Sequence, residues 1–488
     1  MKSQPKKLIC LTGLILLLIG ICMIPSLITA MIYRETVSAQ CFLATILFCV
    51  IIGGVITVLL PIRKVSLRRR DGFLLVSGIW VLVSLISAVP LTLSGAIPDF
   101  IDSFFEMCSG YSTTGSTILS NIEALPKSML FWRSFTHWLG GMGIIVFTAA
   151  LVPGMGIEGQ AIASVESPGP TFDKQTAHYT DTAKRLYLLY LGFTAAQTIL
   201  LCLGGMNLYD SLLHTFGTVG TGGFSDYQDS IACFASPYIR WVIILFMTMC
   251  GINFNLYFDL FRKGPRAVFR DEELRLYLLI ILACTAGIMI DLTASGVIRS
   301  PFHSLTESAF QVTSLITTTG YATTDYNAWP TFAKMLLLLL LLTGACSSST
   351  GGGVKVVRVV VALKMIKRGI RKKLHPSRVY PVKLDGKTVP QEISTNISNF
   401  ILFYIVVFFA GTFLISFDGK DLVTTFSSVL TCLGNVGPGF NLVGPAGNFN
   451  IFSPLSKIVL SLLMIAGRLE LYPFLLLFSP HSWNSRAR

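Results

Sequence analysis

Charge is scarce in this 488-residue chain. Asp, Glu, Lys and Arg make up 13% of it, against about 25% in a soluble domain, while 52% is hydrophobic and the mean hydropathy is +0.68. That balance excludes a water-soluble fold. The apolar runs mostly reach the roughly 20 residues that cross a bilayer. Acidic residues are fewer than basic ones, 25 against 38, for a net charge of +13. In a membrane protein such an excess marks loops facing the cytoplasm and argues against nucleic-acid binding. Paired cysteine spacing is missing as well. The eleven cysteines are scattered, and most lie inside apolar runs (Cys10, Cys22, Cys49, Cys202, Cys250, Cys284). They read as small buried hydrophobes, neither disulfides nor metal ligands. No His-Glu-x-x-His or Gly-x-Ser-x-Gly occurs, the six histidines form no cluster, and Gly220-x-Gly222 follows no strand. A dinucleotide is therefore excluded as a cofactor, and an integral membrane enzyme is disfavoured for want of a catalytic cluster.

What the chain does have is a repeated plan. Two apolar spans come first, about 8–32 and 38–60. The first superficially resembles a signal peptide but outruns an h-region of about 7–15 residues, so it reads as a retained span. A basic run at 63–70 follows. Four outer spans are then expected near 72–94, 184–204, 274–297 and 396–417, and four inner spans near 126–152, 236–261, 331–368 and 454–478. Ten crossings place 61–71, 154–185, 262–275, 364–392 and both termini on one side. These segments carry the basic residues, so that side is cytoplasmic. The expected units are 1–66, 67–160, 161–265, 266–385 and 386–488.

Between each outer and inner span lies a half-length segment: 102–115, 210–223, 307–320 and 424–437. Aligned without gaps, three begin with an acid followed by Ser, the fourth begins Thr-Thr, and all end in glycine. The glycines recur roughly every 100 residues, the mark of a repeat. One such stretch alone would read as an extracellular loop with a turn glycine. Four in register, each between two spans, read as re-entrant helices started by Asp102, Asp210, Glu307 and Thr424. Non-helical backbone at membrane depth must line a watery cavity or be buried in protein. A glycine can turn its carbonyl into a narrow axis, and four carbonyl sets can replace the hydration shell of a small cation. The expected filter comprises Thr113, Thr114 and Gly115; Thr221, Gly222 and Gly223; Thr318, Thr319 and Gly320; and Asn435, Val436 and Gly437. Its cation contacts would be backbone carbonyls, potassium being the ion that the resemblance described below implies. The glycines at 217 and 220 fall outside the ungapped match.

Two further features stand out. A straight helix over 331–368 would run about 55 Å, far beyond a hydrocarbon core of roughly 30 Å. Partway along lies 344–353, with Gly344, Ser348 and the triplet Gly351, Gly352, Gly353, a run that does not favour helix. It reads as an intramembrane loop that obstructs the pore, or as a small-residue packing seam. It lacks the Gly-Lys-Ser/Thr ending of a phosphate cradle. Arg468 lies inside the last span, where an ionisable residue is by default functional. It and Glu470 are two apart and cannot share a helix face. Arg468 either faces the pore as an electrostatic barrier or belongs to an ion pair with neighbouring helices. Asp259, near a helix end, reads as snorkelling.

The chain resembles the bacterial Trk-type potassium uptake subunits (TrkH) of the Trk/Ktr/HKT superfamily. The resemblance rests on the four glycine-ended segments, on 131–143 with its Trp138-Leu-Gly-Gly-Met-Gly, and on 221–225, 349–355, 375–380, 435–439 and 467–470, and it spans nearly the whole length. The two extra N-terminal spans favour TrkH over the Ktr branch. It implies an all-α inner-membrane protein with four pseudo-repeats around one pore, working as a homodimer with a pore in each protomer. It also implies a cytosolic ring of nucleotide-binding TrkA-type subunits, for which the basic run 364–378 is a candidate docking surface. Family filter glycines map onto Gly115, Gly223, Gly320 and Gly437, the gating loop onto 344–353, and the pore arginine onto Arg468. Glycine in all four positions resembles the potassium-selective members; plant relatives favouring sodium tend to have serine in the first, whereas here Ser116 follows Gly115. The expected function is gated K⁺ uptake down the electrochemical gradient. A symporter coupled to H⁺ or Na⁺ is the alternative, with Glu106 and Glu470 the candidate carboxylates.

Overall fold

The computed structural model describes residues 4–60, 69–143 and 179–475. The rest of the inner span expected to reach 152, the end of the one expected to reach 478, and much of the basic segments 61–71 and 154–185 lie outside the described residues. Apart from a two-stranded hairpin, Lys383–Leu384 with Lys387–Thr388, the regular structure of the described residues is helical.

Six described helical segments are long and apolar enough to cross a bilayer. Two belong to the N-terminal pair. The first crossing is interrupted at Met23, between Gln4–Cys22 and Ile24–Ile32, because Pro25 lacks an N–H and crowds the preceding turn. It packs on Thr36–Leu59 at close range: a Cβ on Gly53 would lie 2.6 Å from the Gly13 carbonyl oxygen, the small-residue contact that draws helices together in lipid. The other four are the outer spans Arg69–Leu93, Tyr179–Leu203, Glu272–Ala294 and Gln391–Ile415. Large apolar side chains cover their outward faces, among them Leu188, Leu279, Leu282, Leu402 and Phe409, all more than 60% exposed. Water would not tolerate that surface, whereas lipid requires it.

Inside this apolar ring the polarity inverts. Pore helices 1 to 4 are Phe100–Tyr111, Leu208–Val219, Pro301–Ile316 and Leu422–Gly434. Their buried faces carry Ser103, Glu106, Ser109, His214, Thr215, Gln311, Ser314 and Ser428. The helices begin earlier than expected. Their N-caps are Asp99, Asn207, Ser300 and Asp421, each accepting a backbone N–H of the first turn. Asp102, Asp210 and Thr424 therefore sit three residues in, and Glu307 seven. Two of these acids are freed to close the ring of repeats: Lys457 of the fourth repeat reaches Asp102 at 2.6 Å, and Arg240 of the second reaches Glu307 at 2.6 Å.

The inner spans differ most from expectation. Inner helices 1 to 4 are Lys127–Gly141, Pro237–Cys250, Thr331–Thr343 and Pro454–Arg468. All four stop after 13 to 15 residues, roughly 20–22 Å, well short of a crossing. A break was expected only in the third. The second resumes as Phe254–Lys263 at an angle of 85°, and the third as Val356–Leu374. Each break falls at or beside a glycine, in Gly140–Gly143, Gly251, Gly344 or Gly467, where helix propensity is poorest.

Candidate cation filter and the loop packed against it

All four pore helices end in the same backbone path. Thr113, Thr221, Thr318 and Asn435 take left-handed φ values of 54° to 58°. Their N–H groups reach back three residues, and the N–H groups of Thr114, Gly222, Thr319 and Val436 reach back five, the latter at 2.8–2.9 Å. This pair of bonds is a Schellman ending, whose left-handed position is normally glycine. Threonine there is a genuine outlier, and such strain persists where the surroundings over-determine it.

Two residues after each left-handed position the chain turns again. Gly115, Gly223, Gly320 and Gly437 have φ of 84°, 78°, 82° and 104°. A Cβ on Gly115 would lie 2.1 Å from the Gly222 carbonyl oxygen, one on Gly223 2.0 Å from that of Thr319, and one on Gly320 2.1 Å from that of Val436. On Gly437 it would lie 2.7 Å from the oxygen of Thr114. Each glycine thus touches the carbonyl before the next glycine, and the cycle closes from the fourth repeat onto the first. Ser116 adds a bond to the Gly437 carbonyl at 3.0 Å, and Asn435 Nδ2 one to Thr114 Oγ1 at 3.0 Å. On one side the four glycines open into a solvent-open cavity, lined also by Ser116, Thr117, Phe224 and Ala322. The pore helices direct their C-terminal, partially negative ends toward this ring. The arrangement offers carbonyl oxygen and a favourable field to a dehydrated cation.

The opposite side is occupied by the loop 344–355. Gly352 N–H donates to Thr318 Oγ1 at 2.7 Å. A Cβ on Gly352 would sit 2.6 Å from the Gly434 oxygen, and one on Gly351 2.9 Å from that of Thr317. The glycines therefore both break the helix and let the loop press against the third and fourth of the four non-helical segments that follow the pore helices, 113–118, 221–226, 318–323 and 435–440, called strands 1 to 4 of the ring. Gly344, Ser348 and Gly353 take left-handed φ values, as does Lys355. Lys355 is fully buried and turns its Nζ back onto the Gly351 carbonyl.

This loop is tied to the breaks in the inner spans. Cys346 N–H donates to Gly251 O at 3.0 Å, and Phe254 N–H to Ser348 O at 3.1 Å, so the loop bonds to both sides of the second break. Arg468, at the fourth break, donates to Thr350 O at 2.6 Å and to Gly140 O and Gly141 O, at the first break, at 2.7 and 2.8 Å. It thus satisfies carbonyls at a helix C-terminus while holding the loop. Glu470 pairs instead with Arg358 at 2.5 Å, and Arg358 lies over Phe400. These bonds join Arg468 to backbone carbonyls of the loop and of the first inner helix.

A full-length match accompanies this geometry. The model of the TrkH family, described as a cation transport protein, matches residues 38–486. The chain belongs to the TrkH family. It is 35% identical over 475 residues to the Trk system potassium uptake protein TrkH of Escherichia coli K12, covering 96% of this chain and 97% of that one. The Vibrio parahaemolyticus protein of the same name is 33% identical over 488 residues, 99% and 100% of the two chains. The crystal structure of the potassium transporter TrkH from Vibrio parahaemolyticus superposes with a TM-score of 0.88 at 31% identity, over 99% of this chain and 100% of that one. These TrkH relatives are named as transporters, not enzymes.

Sequence reasoning missed one residue that this TrkH-family fold brings to the loop. Glu273, buried at the start of the third outer span, accepts from Ser347 N–H at 2.6 Å, Ser347 Oγ at 2.7 Å and Val357 N–H at 3.1 Å. It grips the loop where it leaves one helix and caps the helix where the chain resumes. An acid two residues into an outer span looks like an ordinary first-turn residue, so nothing in the local sequence marks it.

Proposed function

We propose that the chain takes up potassium through a gated pore, with the four-glycine ring as its filter and the loop 344–355 as its gate. The closed cycle of glycine-to-carbonyl contacts carries this reading. Its four segments come from four repeats, and its fit leaves no room for a side chain. The relatives named as Trk system potassium uptake proteins supply the ion. In this reading both termini are cytoplasmic, inward flux runs down the electrochemical gradient, and the membrane potential supplies about 2.3 kcal/mol per charge per 100 mV. The loop blocks the cytoplasmic side of the filter, and its bonds to three breaks couple opening to hinging of the inner spans. The basic helix end at 364–378 docks a cytosolic TrkA-type nucleotide-binding ring, and two protomers assemble, each with its own pore.

Ion coupling is the weaker reading. Its candidate carboxylates are already engaged: Glu106 with Arg133 and three further bonds, Glu470 with Arg358. The test is K⁺ and Na⁺ flux into liposomes holding the purified protein under an imposed potential, with and without a pH gradient. Potential-driven K⁺ flux indifferent to the pH and Na⁺ gradients is expected. K⁺ accumulation driven by a pH or Na⁺ gradient at zero potential would establish coupling instead.

A further inference from the structure

The residue nine positions before each filter glycine is Glu106, His214, Gln311 or Ser428. In three repeats this side chain grips the strand that rises from its own glycine. Glu106 accepts from Thr117 Oγ1 at 2.9 and 3.1 Å and from Ile118 N–H at 3.1 Å. His214 Nε2 meets Ser225 Oγ at 3.0 Å, and its Nδ1 lies 2.8 Å from Asp210 O. Gln311 Nε2 donates to Thr323 Oγ1 at 3.3 Å. In the fourth repeat Ser428 bonds within its own helix, and Ser427 takes the Phe440 N–H instead. Equivalent positions thus do one job with different chemistry.

One of these tethers spans two repeats. Arg133, on inner helix 1, donates from Nε to Glu106 at 2.5 Å and from Nη1 to Ser225 O at 2.8 Å. Its guanidinium lies 3.5 Å from the centre of the Phe224 ring, next to Gly223. Arginine and glutamate are both buried, yet Arg133 also lines the cavity above the glycine ring. A lone cation placed there would repel the permeating ion, and Glu106 cancels it. The pair therefore joins strand 1, through Thr117 and Ile118, to strand 2, through Ser225. Buried, charge-assisted bonds of this kind are short and directional, and breaking one partner costs far more than the pair contributes.

We propose that Glu106 and Arg133 are positioning residues that set K⁺ over Na⁺ discrimination, by holding strands 1 and 2 of the filter at fixed separation and keeping the cavity electrically neutral. The proposal rests on the filter reading above. The experiment measures bi-ionic K⁺/Na⁺ reversal potentials for Glu106→Gln, Thr117→Val and Gly223→Ser in liposome-fused bilayers, with each variant checked by gel filtration. Glu106→Gln keeps the shape but uncovers the arginine charge. It should lower the permeability ratio roughly tenfold, equivalent to about 1.4 kcal/mol, and reduce K⁺ current as well. Thr117→Val removes one hydroxyl, which donates to Glu106 and accepts the Leu119 N–H, and should shift the ratio in the same direction by a smaller factor; it keeps the test open if Glu106→Gln does not fold. Wild-type ratios in folded Glu106→Gln or Thr117→Val, with Gly223→Ser still shifting the ratio, would overturn the positioning role alone. Wild-type ratios in all three would overturn the filter reading beneath it.

Discussion

Replacing Gly115 by serine tests the ring where its geometry is tightest. The backbone there has φ of 84°, and an L-residue pays about 1–2 kcal/mol to adopt that conformation. The larger effect is steric. The new Cβ would lie 2.1 Å from the Gly222 oxygen, whereas ordinary contact begins at 3.4 Å, so that carbonyl must give by more than about 1 Å. It has little room to do so. Gly222 is backed by the His137 ring, 2.2 Å from where its own Cβ would be, and that ring is held by the Gly110 carbonyl at 2.7 Å and packs on Phe224. The strain therefore stays in the ring, between strands 1 and 2. A roughly tenfold or greater fall in the K⁺/Na⁺ permeability ratio is expected, read from bi-ionic reversal potentials. Gly95→Ala is the control. Its φ is 73° but a Cβ there meets nothing within 4 Å, so it should cost about 1 kcal/mol of stability and leave the ratio alone. A natively eluting Gly115→Ser protein with an unchanged ratio would refute the reasoning.

The gate reading yields three more expectations. Deleting Gly351–Gly353 removes the segment pressed against Thr318 and Asn435 and should raise basal K⁺ flux without any cytosolic partner; unchanged flux would favour a packing seam. Arg468→Ala removes three bonds that join the loop to the first inner helix, and should increase basal flux in a protein that still assembles, while wild-type flux would assign it a purely structural role. Glu273→Gln keeps the side chain's size but halves its acceptors for Ser347 and Val357. A several-fold rise in basal flux is expected, with Ser347→Ala adding little on top, since the two act through one contact; fully additive effects would separate them.

The array of spans was legible because lipid imposes a simple rule on composition, and all four outer spans appear close to their expected bounds. The equivalence of the four glycine-ended segments was legible because repetition removes the ambiguity of a single turn glycine. Helix starts were not. Asp102, Asp210 and Thr424 occupy the third helical position, where an acid or hydroxyl is as natural as at the cap itself, and the true caps Asp99, Asn207 and Asp421 lie just upstream. The breaks in the first, second and fourth inner spans were also hidden. A single glycine inside an apolar run costs a helix about 1 kcal/mol and need not end it. At Gly251 the interruption persists because its carbonyl has a partner in the loop, Cys346 N–H, about a hundred residues away.

The sequence alone determined that this chain lives in a membrane, that it repeats four times, and which glycines stand in equivalent places, for these follow from hydropathy and spacing. Only the tertiary structure decided that the glycines touch in a closed cycle, that threonines before them carry the backbone strain, and that Glu273, Arg468 and the Glu106–Arg133 pair hold the loop and the strands. Such contacts join residues far apart in the chain, several of them in different repeats, and a pairing between distant polar groups leaves no local periodicity to read.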